Sequence, residues 1–428
     1  MNRFYVAEAG RRGRIPNGAI GFVEGTTLLT GADDLRASFN AEPTSLEADL
    51  LRLAAAVFAA DRACARGDRE DIGRQIELSL PVTNVARLLP LVAPLERVLR
   101  FLSNDGWRIE MRQFAGTVER ARKWPASSGH TLLFSGGLDS LAAALEYGTP
   151  GSNLQLVSHR TQNTVTSGTQ RTLADALLTR GGVGDHTQFF VSSRSGQDLT
   201  HDEENSQRTR SFLFLVLGSI AARRTGHHTL LYLAENGQMA IHLPLDSARI
   251  GAFSTHTAHP HVLVAMTDLM STALMTQLRI DNPYVYRTKR EVVASIVTAA
   301  PELIPVATSC WRNSRLRAGV THCGSCVPCQ VRRVAIESCG PDLTAYGRDV
   351  WRERLRQLPW DDDGRRNVTE LVQFAIQFDT LSAEELTSAW PELISRDFDA
   401  DQVIQMYRRF AAEAIQLWHQ YPEVRALM

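Results

Sequence analysis

Apolar and polar positions divide the chain into three stretches of different rhythm. Over residues 1–126 the rhythm is mixed. Leu50, Leu51, Leu53, Ala54, Val57 and Phe58 recur at helical spacing between Leu46 and Cys64, and "VARLLPLVAPLERVLRFL" has a similar spacing, so each predicts an amphipathic helix. On either side of the second helix, "RQIELSLPV" and "GWRIEMRQF" read as strands. Together they predict a small N-terminal α+β domain over 1–126, ending near "KWPASSG" (Lys123 to Gly129), where proline, serine and glycine gather.

From His130 the rhythm alternates. "TLLF", "LQLVSH", "TQFFVSS" and "TLLYLA" are short continuous apolar runs, and helical periods separate them: one from Ser140, then "GTQRTLADALLTR", then "QRTRSFLFLVLGSIAARR". Strands apolar on both sides, alternating with amphipathic helices, predict an α/β fold over 127–340 with a doubly wound parallel sheet. Such sheets bind ligands at the carboxyl ends of their strands. Residues 341–428 read as a C-terminal helical region with Trp351, Trp360, Trp390 and Trp418 as anchors and an acidic turn, "DDDG", from Asp361. No internal repeat or low-complexity tract interrupts the three stretches.

Composition and its distribution change this picture in three ways. The 428 residues carry 46 basic and 47 acidic side chains, a net charge of -1, so no overall field recruits nucleic acid or an anionic membrane. The start, "MNRFYVAEAGRRGRIPNG", has no apolar core of secretory type, and no apolar run reaches membrane-spanning length, which makes a cytoplasmic location the expectation. Cys310, Cys323, Cys326 and Cys329 crowd one segment, leaving Cys64 and Cys339 as ordinary core or surface thiols.

The candidate chemistry begins where "TLLF" breaks into "SGGLDS". Gly136 and Gly137 let the main chain approach a ligand, and the N–H groups opening the next helix attract an anion. Phosphate is the natural guest. Ser135 and Ser140 add hydroxyl donors, and Asp139 suits a helix cap or a Mg²⁺ bridging phosphates. The turn lacks the lysine of a Walker A loop and the spacing of a dinucleotide fingerprint. A tight turn used for local reasons alone remains the alternative.

In "SCWRNSRLRAGVTHCGSCVPCQVRR" the four cysteines can converge on one tetrahedral Zn²⁺, with Gly324 and Pro328 shaping the knuckles. An iron–sulfur cluster and disulfides are the competing readings. A closed four-thiolate zinc site is structural, so the zinc reading predicts that it braces a lobe beside the active site.

The S-G-G-L-D-S turn opening an α/β domain resembles the PP-loop of ATP pyrophosphatases. With C-x12-C-x2-C-x2-C near the domain's end, residues 130 to 340 resemble the QueC family, the 7-cyano-7-deazaguanine synthases. The resemblance implies adenylation of the 7-carboxy-7-deazaguanine carboxylate by ATP with Mg²⁺, then attack by ammonia and a second ATP-driven step to the nitrile. It implies that Ser135, Gly136, Gly137, Leu138, Asp139 and Ser140 hold the phosphates, with Ser158 in the same nucleotide pocket. Lys289, in "RTKRE", would neutralise charge on the phosphoryl oxygens, and Arg210, in "RTRSFLFL", resembles the family's arginine-rich helix start.

The family's Tyr-Pro-Asp-Cys-Arg substrate segment is replaced by "LAENGQMAIHLPLDSARIGAFSTHTAHPH". There Glu235, Asn236 and Gly237 could meet a guanine-like edge, or form a plain Asn-Gly turn. His256, His259 and His261 could orient or deprotonate an amine, hold a second metal, or be loop histidines, with His259 the catalytic candidate. These departures and the long extensions resemble the divergent branch of anti-phage operons, QatC and the QueC-like member of type IV CBASS systems. That branch implies an amide joining the deazaguanine to the N-terminal amine of a partner protein encoded nearby. Three alternatives stay open: a synthase using ammonia, a PP-loop tRNA-modifying enzyme, which the balanced charge disfavours, and a non-catalytic ATP-binding adaptor.

Overall fold

A computed structural model describes residues 2–8, 15–66, 73–114, 127–160, 163–193, 204, 206–227, 231–245 and 256–428. The start of "KWPASSG" and the 246–255 part of the substituted segment lie outside the described residues. Two sheets organise the rest. The smaller uses β1 (Asn2–Ala7) and β2 (Ile20–Val23); after β3 (Leu28–Thr30), α1 (Ala32–Phe39) and α2 (Ser45–Arg62), it takes β4 (Gln75–Val82) and, past α3 (Val85–Leu88) and α4 (Val92–Ser103), β5 (Gly106–Gln113). Its order is β2-β1-β4-β5, parallel throughout. A helical crossover, not a hairpin, joins β4 to β5, which makes this stretch layered α/β where its sequence suggested α+β. The single helix expected over "VARLLPLVAPLERVLRFL" is broken by a 3₁₀ turn at Leu89–Leu91. Pro90 lacks an N–H and crowds the preceding turn.

The larger sheet begins with β6 (Thr131–Leu133), α5 (Leu138–Tyr147), β7 (Leu154–Arg160), α6 (Thr164–Arg180), β8 (Val183–Ser193) and α7 (Arg210–Thr225). It continues through β9 (Leu231–Tyr232), α8 (Gly237–Ile241), α9 (Pro260–Leu274), β10 (Ile280–Asp281), α10 (Lys289–Ala299) and α11 (Val327–Glu337). The order is β10-β9-β6-β7-β8-β3, with β3 alone antiparallel. Leu132 and Phe134 enter a core with α5, α6 and α10, while Leu133 enters another with α2 and α7. Successive apolar residues in β6 are thus explained by helices on both faces. The chain runs from β6 to β7 and β8 on one side and returns to β9 and β10 on the other. The carboxyl end of β6 is therefore a switch point, the position at which open parallel sheets bind ligands.

The division at residue 126 follows neither the sheets, since β3 joins the larger one, nor the cores. β3 pairs with β8, and α2 packs against both β4 and α7. Almost all of α2 is buried, including Glu47, Asp49 and Asp61, each at 0 % exposure. Glu47 meets Arg224 at 2.8 Å near the end of α7, and Asp61 accepts from the Thr209 N–H and hydroxyl, both at 2.9 Å, at its start. A charge this deep is retained when paired and hydrogen-bonded. The C-terminal α12 (Asp363–Thr380), α13 (Ala383–Ala389), α14 (Ala400–Trp418) and α15 (Pro422–Arg425) build a further core that takes in Ile241, Leu243, Val331 and Val334. Trp351, Trp390 and Trp418 are buried in it, whereas Trp360 is 83 % exposed, lying under the Arg365 guanidinium, and anchors nothing. No described helix is long and apolar enough to cross a membrane.

Candidate active site

The glycine turn occupies the switch point. Gly136 has φ +81°, in the left-handed region, and an added Cβ would stand 3.2 Å from Gln170 Cγ. Ser135 Oγ accepts from the Gly137 N–H at 3.3 Å and lies 3.2 Å from Ser140 Oγ, which donates to the Gly137 carbonyl at 3.1 Å. Leu138 is fully buried in the core, so its main chain is what it can offer a ligand. The opening N–H groups of α5 have no intrahelical acceptors and carry partial positive charge. Gln170 braces the turn from α6 by donating to the Ser135 carbonyl at 3.3 Å.

Asp139, 6 % exposed in the first turn of α5, gathers residues distant in sequence. Its Oδ2 accepts from Lys289 Nζ at 2.8 Å and from Asn236 Nδ2 at 3.0 Å. Its Oδ1 is buried without a hydrogen-bond partner among the described residues. Glu235 lies alongside. Loss of hydration, and then the Asp139 carboxylate, push Glu235 up to about 8 against the pull of Lys289. Glu235 therefore keeps its proton at neutral pH. The pair fits a divalent cation chemically: two carboxyl groups side by side and a proton for the ion to displace.

Asn236, at 0 % exposure, has each end of its amide engaged: besides reaching Asp139, it caps α8 by accepting from the Met239 N–H at 3.4 Å. Gly237 serves packing: an added Cβ would meet the Val285 carbonyl oxygen at 2.5 Å. Ser158 is engaged within the sheet. It is fully buried, donates to the Phe134 carbonyl at 2.5 Å and meets His186 Nε2 at 2.8 Å, so its hydroxyl ties β7 to β6.

Arg210 opens α7 above Phe214, with its guanidinium carbon 5.4 Å from the ring centroid. Burial lowers its pKa, and its positive charge helps burial hold neighbouring His159 down at about 3. His259 takes another place. It caps α9 by accepting from the His261 N–H at 3.2 Å, and His256, His259 and His261 surround Phe101 at 4.7, 5.2 and 4.7 Å. Burial, first of all, lowers His256 and His259 to about 4, so both are neutral at pH 7. They line a cavity of about 840 Å³ that also reaches Gln238, whose Oε1 accepts from the Lys289 N–H at 2.8 Å. That one residue joins the cavity to the Asp139 cluster.

The thiol sulfurs of Cys310, Cys323, Cys326 and Cys329 all lie within 4.8 Å of one another, and none is in a disulfide. Tetrahedral zinc with Zn–S bonds of about 2.3 Å needs sulfurs about 3.8 Å apart. Cys323 and Cys329 stand at 3.8 Å, and Cys326 and Cys329 at 3.3 Å. The residues fit a single four-coordinate ion, whereas thiolates at the corners of a cluster stand further apart. Gly324, at φ +77°, would place a Cβ 2.1 Å from the Arg348 carbonyl oxygen, so the knuckle requires glycine.

The knuckle is wired to the glycine turn. Buried Arg332 donates to the carbonyls of Ile304 and Ala307 at 2.7 and 3.0 Å, and His322 Nε2 accepts from the Ser309 N–H at 3.1 Å. Between those anchors, the Thr308 N–H donates to the Gly136 carbonyl at 3.0 Å. Sequence reasoning missed Gln170, Gln238, Thr308 and also Asn282, which clamps the Glu235 backbone by accepting its N–H at 3.2 Å and donating to its carbonyl at 2.8 Å. Isolated amide side chains and a threonine carry no local pattern.

With this geometry in place, one relative stands out. The chain is similar to a 7-cyano-7-deazaguanine synthase. That enzyme, from Paracoccus denitrificans (strain Pd 1222), is 37% identical over 83 residues, 19% of this chain and 33% of its own length. This chain thus spans about a third of the length of the curated relative it matches. The partial match supports a QueC-like relationship. No protein-family model matches the chain.

Proposed function

We propose that this protein is an ATP-dependent, AMP- and pyrophosphate-forming C–N ligase of the QueC-like PP-loop type, acting on 7-carboxy-7-deazaguanine. The observation that carries the reading is the Asp139–Lys289 ion pair at 2.8 Å, seated beside the glycine turn at the switch point of the parallel sheet. A nest of N–H groups with a buried lysine beside it suits a triphosphate whose pyrophosphate must leave. The partial likeness to a 7-cyano-7-deazaguanine synthase points to a deazaguanine, and the PP-loop resemblance to its carboxylate as the group activated.

In this reading a carboxylate oxygen of the deazaguanine attacks the α-phosphorus of ATP, and the bond to the β-phosphate oxygen breaks. The Ser135–Ser140 turn holds the phosphates, and Lys289 meets the charge growing on the departing oxygens. Mg²⁺, held by Asp139 and Glu235, would neutralise phosphate charge. Zn²⁺, held by the four cysteines in a closed site, would fix the segment that carries Thr308. An amine nitrogen then attacks the activated carbonyl, AMP leaves with the bonding electron pair, and the nitrogen loses a proton. The acceptor in our reading is the N-terminal amine of a partner protein, in a bacterial anti-phage setting. An acyl adenylate needs only a well-placed amine, and in our reading the amine comes from the side of the cavity that shares Gln238 with the Asp139 cluster.

The relative's name favours a second reading, in which ammonia is the acceptor and the product is the nitrile. Mass spectrometry of reactions containing ATP, 7-carboxy-7-deazaguanine and either ammonia or a candidate partner separates the two. A deazaguanine amide on the partner supports the first, and free nitrile the second. Turnover-free biological activity in the Asp139→Ala, Ser140→Ala double variant would instead make the protein an ATP-binding adaptor.

A further inference from the structure

Lys289 reaches Asp139 because α10 begins where it does, and its start is fixed partly from within. Thr288 caps the helix and forms a capping box with Glu291. The remaining restraints come from the C-terminal region. Glu413 of α14 accepts from the Thr288 hydroxyl at 3.1 Å. Arg409, one turn earlier, donates to Glu291 at 2.8 Å and to the Tyr286 carbonyl at 2.7 Å. Met406 packs on Gly237 so closely that an added Cβ there would stand 2.7 Å from its terminal carbon. Residues 406, 409 and 413 share one helix face, so a single face of α14 restrains both the loop bearing Asn236 and the helix bearing Lys289.

Packing alone would join these helices without setting their register. The Glu413 bond does more, because it orients the hydroxyl that defines the first turn of α10. We infer that Glu413 and Arg409 are positioning residues that set Lys289 against Asp139, so that the C-terminal region completes the candidate site. The inference rests on the adenylation reading for its functional meaning. Neither residue touches the reacting atoms.

The test uses the full-length chain and ATP–pyrophosphate exchange driven by 7-carboxy-7-deazaguanine. Glu413→Ala is expected to lower kcat about tenfold, a modest share of what misplacing a reacting group costs, with little change in KM for ATP. Glu413→Gln keeps an oxygen acceptor for Thr288 and restores most of the rate. Added to Lys289→Met, Glu413→Ala causes no further loss, since the two act through one group. Losses that multiply in the double variant, or equal effects of Ala and Gln, would overturn the inference.

A second measurement separates this inference from the reading beneath it. If the wild-type protein shows no exchange, adenylation fails, and acylation of Lys289 by an N-hydroxysuccinimide ester, followed by peptide mass spectrometry, still reports its position. Lys289 should react faster in Glu413→Ala than in wild type, with Glu413→Gln matching wild type. Equal rates in all three would overturn the positioning role whatever the protein's activity.

Discussion

At Asp139 one carboxylate oxygen is saturated by Lys289 and Asn236 while the other waits, buried, beside a protonated Glu235. Lys289→Met removes the cation that our proposal aims at the phosphates and should lower the exchange rate by roughly 10²- to 10³-fold, the usual loss for a preorganised electrostatic group. Glu235 supplies a test that needs no substrate. Its folded pKa is raised from an ordinary 4.5 to about 8, so between those values the folded state holds more protons than the unfolded one. Its contribution to stability is fully present below pH 4.5 and is lost as pH rises through 8. Denaturant unfolding of Glu235→Gln against wild type should therefore show the variant gaining relative stability from pH 5 to 8.5. A constant difference would contradict the carboxyl pairing. Residues of this kind were unevenly legible. The glycines and Asp139 sit in one contiguous motif, whereas Gln170, Gln238 and Asn282 act on atoms brought near by folding.

Elements tell a similar story. The strand–turn–helix at His130 to Gly148 was legible because strand and helix periods meet there at two glycines. β3 was not: three residues, Leu28–Thr30, acquire strand geometry by pairing with the edge of β8. Nor was the start of β8 at Val183, where pairing with β7 extends a strand beyond its apolar run. The cysteine spacing was legible, but its link through Arg332, His322 and Thr308 to Gly136 depends on tertiary contacts. Two outcomes follow from that link. Gly324→Ala adds a Cβ 2.1 Å from a backbone oxygen at positive φ and should cost more than about 1 kcal/mol, read as a lowered thermal midpoint and reduced zinc content. Chelating the zinc should also weaken ATP binding in calorimetry, because the segment pinning Gly136 is released. Unchanged ATP affinity in zinc-free, folded protein would break the link.

On the scale of the molecule, three lengths of chain converge through shared packing. α2 is buried against α7 and caps its start, where Arg210 stands, while α14 grips the start of α10. Periodicity located the three stretches but could not show this convergence, since the buried charges of α2 read as polar interruptions until Arg224 and Thr209 meet them. Burial of histidines also predicts acid sensitivity. His159 is lowered to about 3, and His186, His256 and His259 to about 4, each chiefly by burial. An unfolded chain protonates them near 6.5, so the stability they contribute is present above that pH and lost as pH falls toward 4. Urea midpoints should drop steeply across that window; a flat profile would mean that these rings are not held neutral. The most direct test of the central claim is pyrophosphate exchange into ATP by the purified, full-length protein with Mg²⁺. Exchange that requires 7-carboxy-7-deazaguanine and disappears in Asp139→Ala is the predicted result. Exchange absent with that acid, or undiminished in the variant, would contradict it.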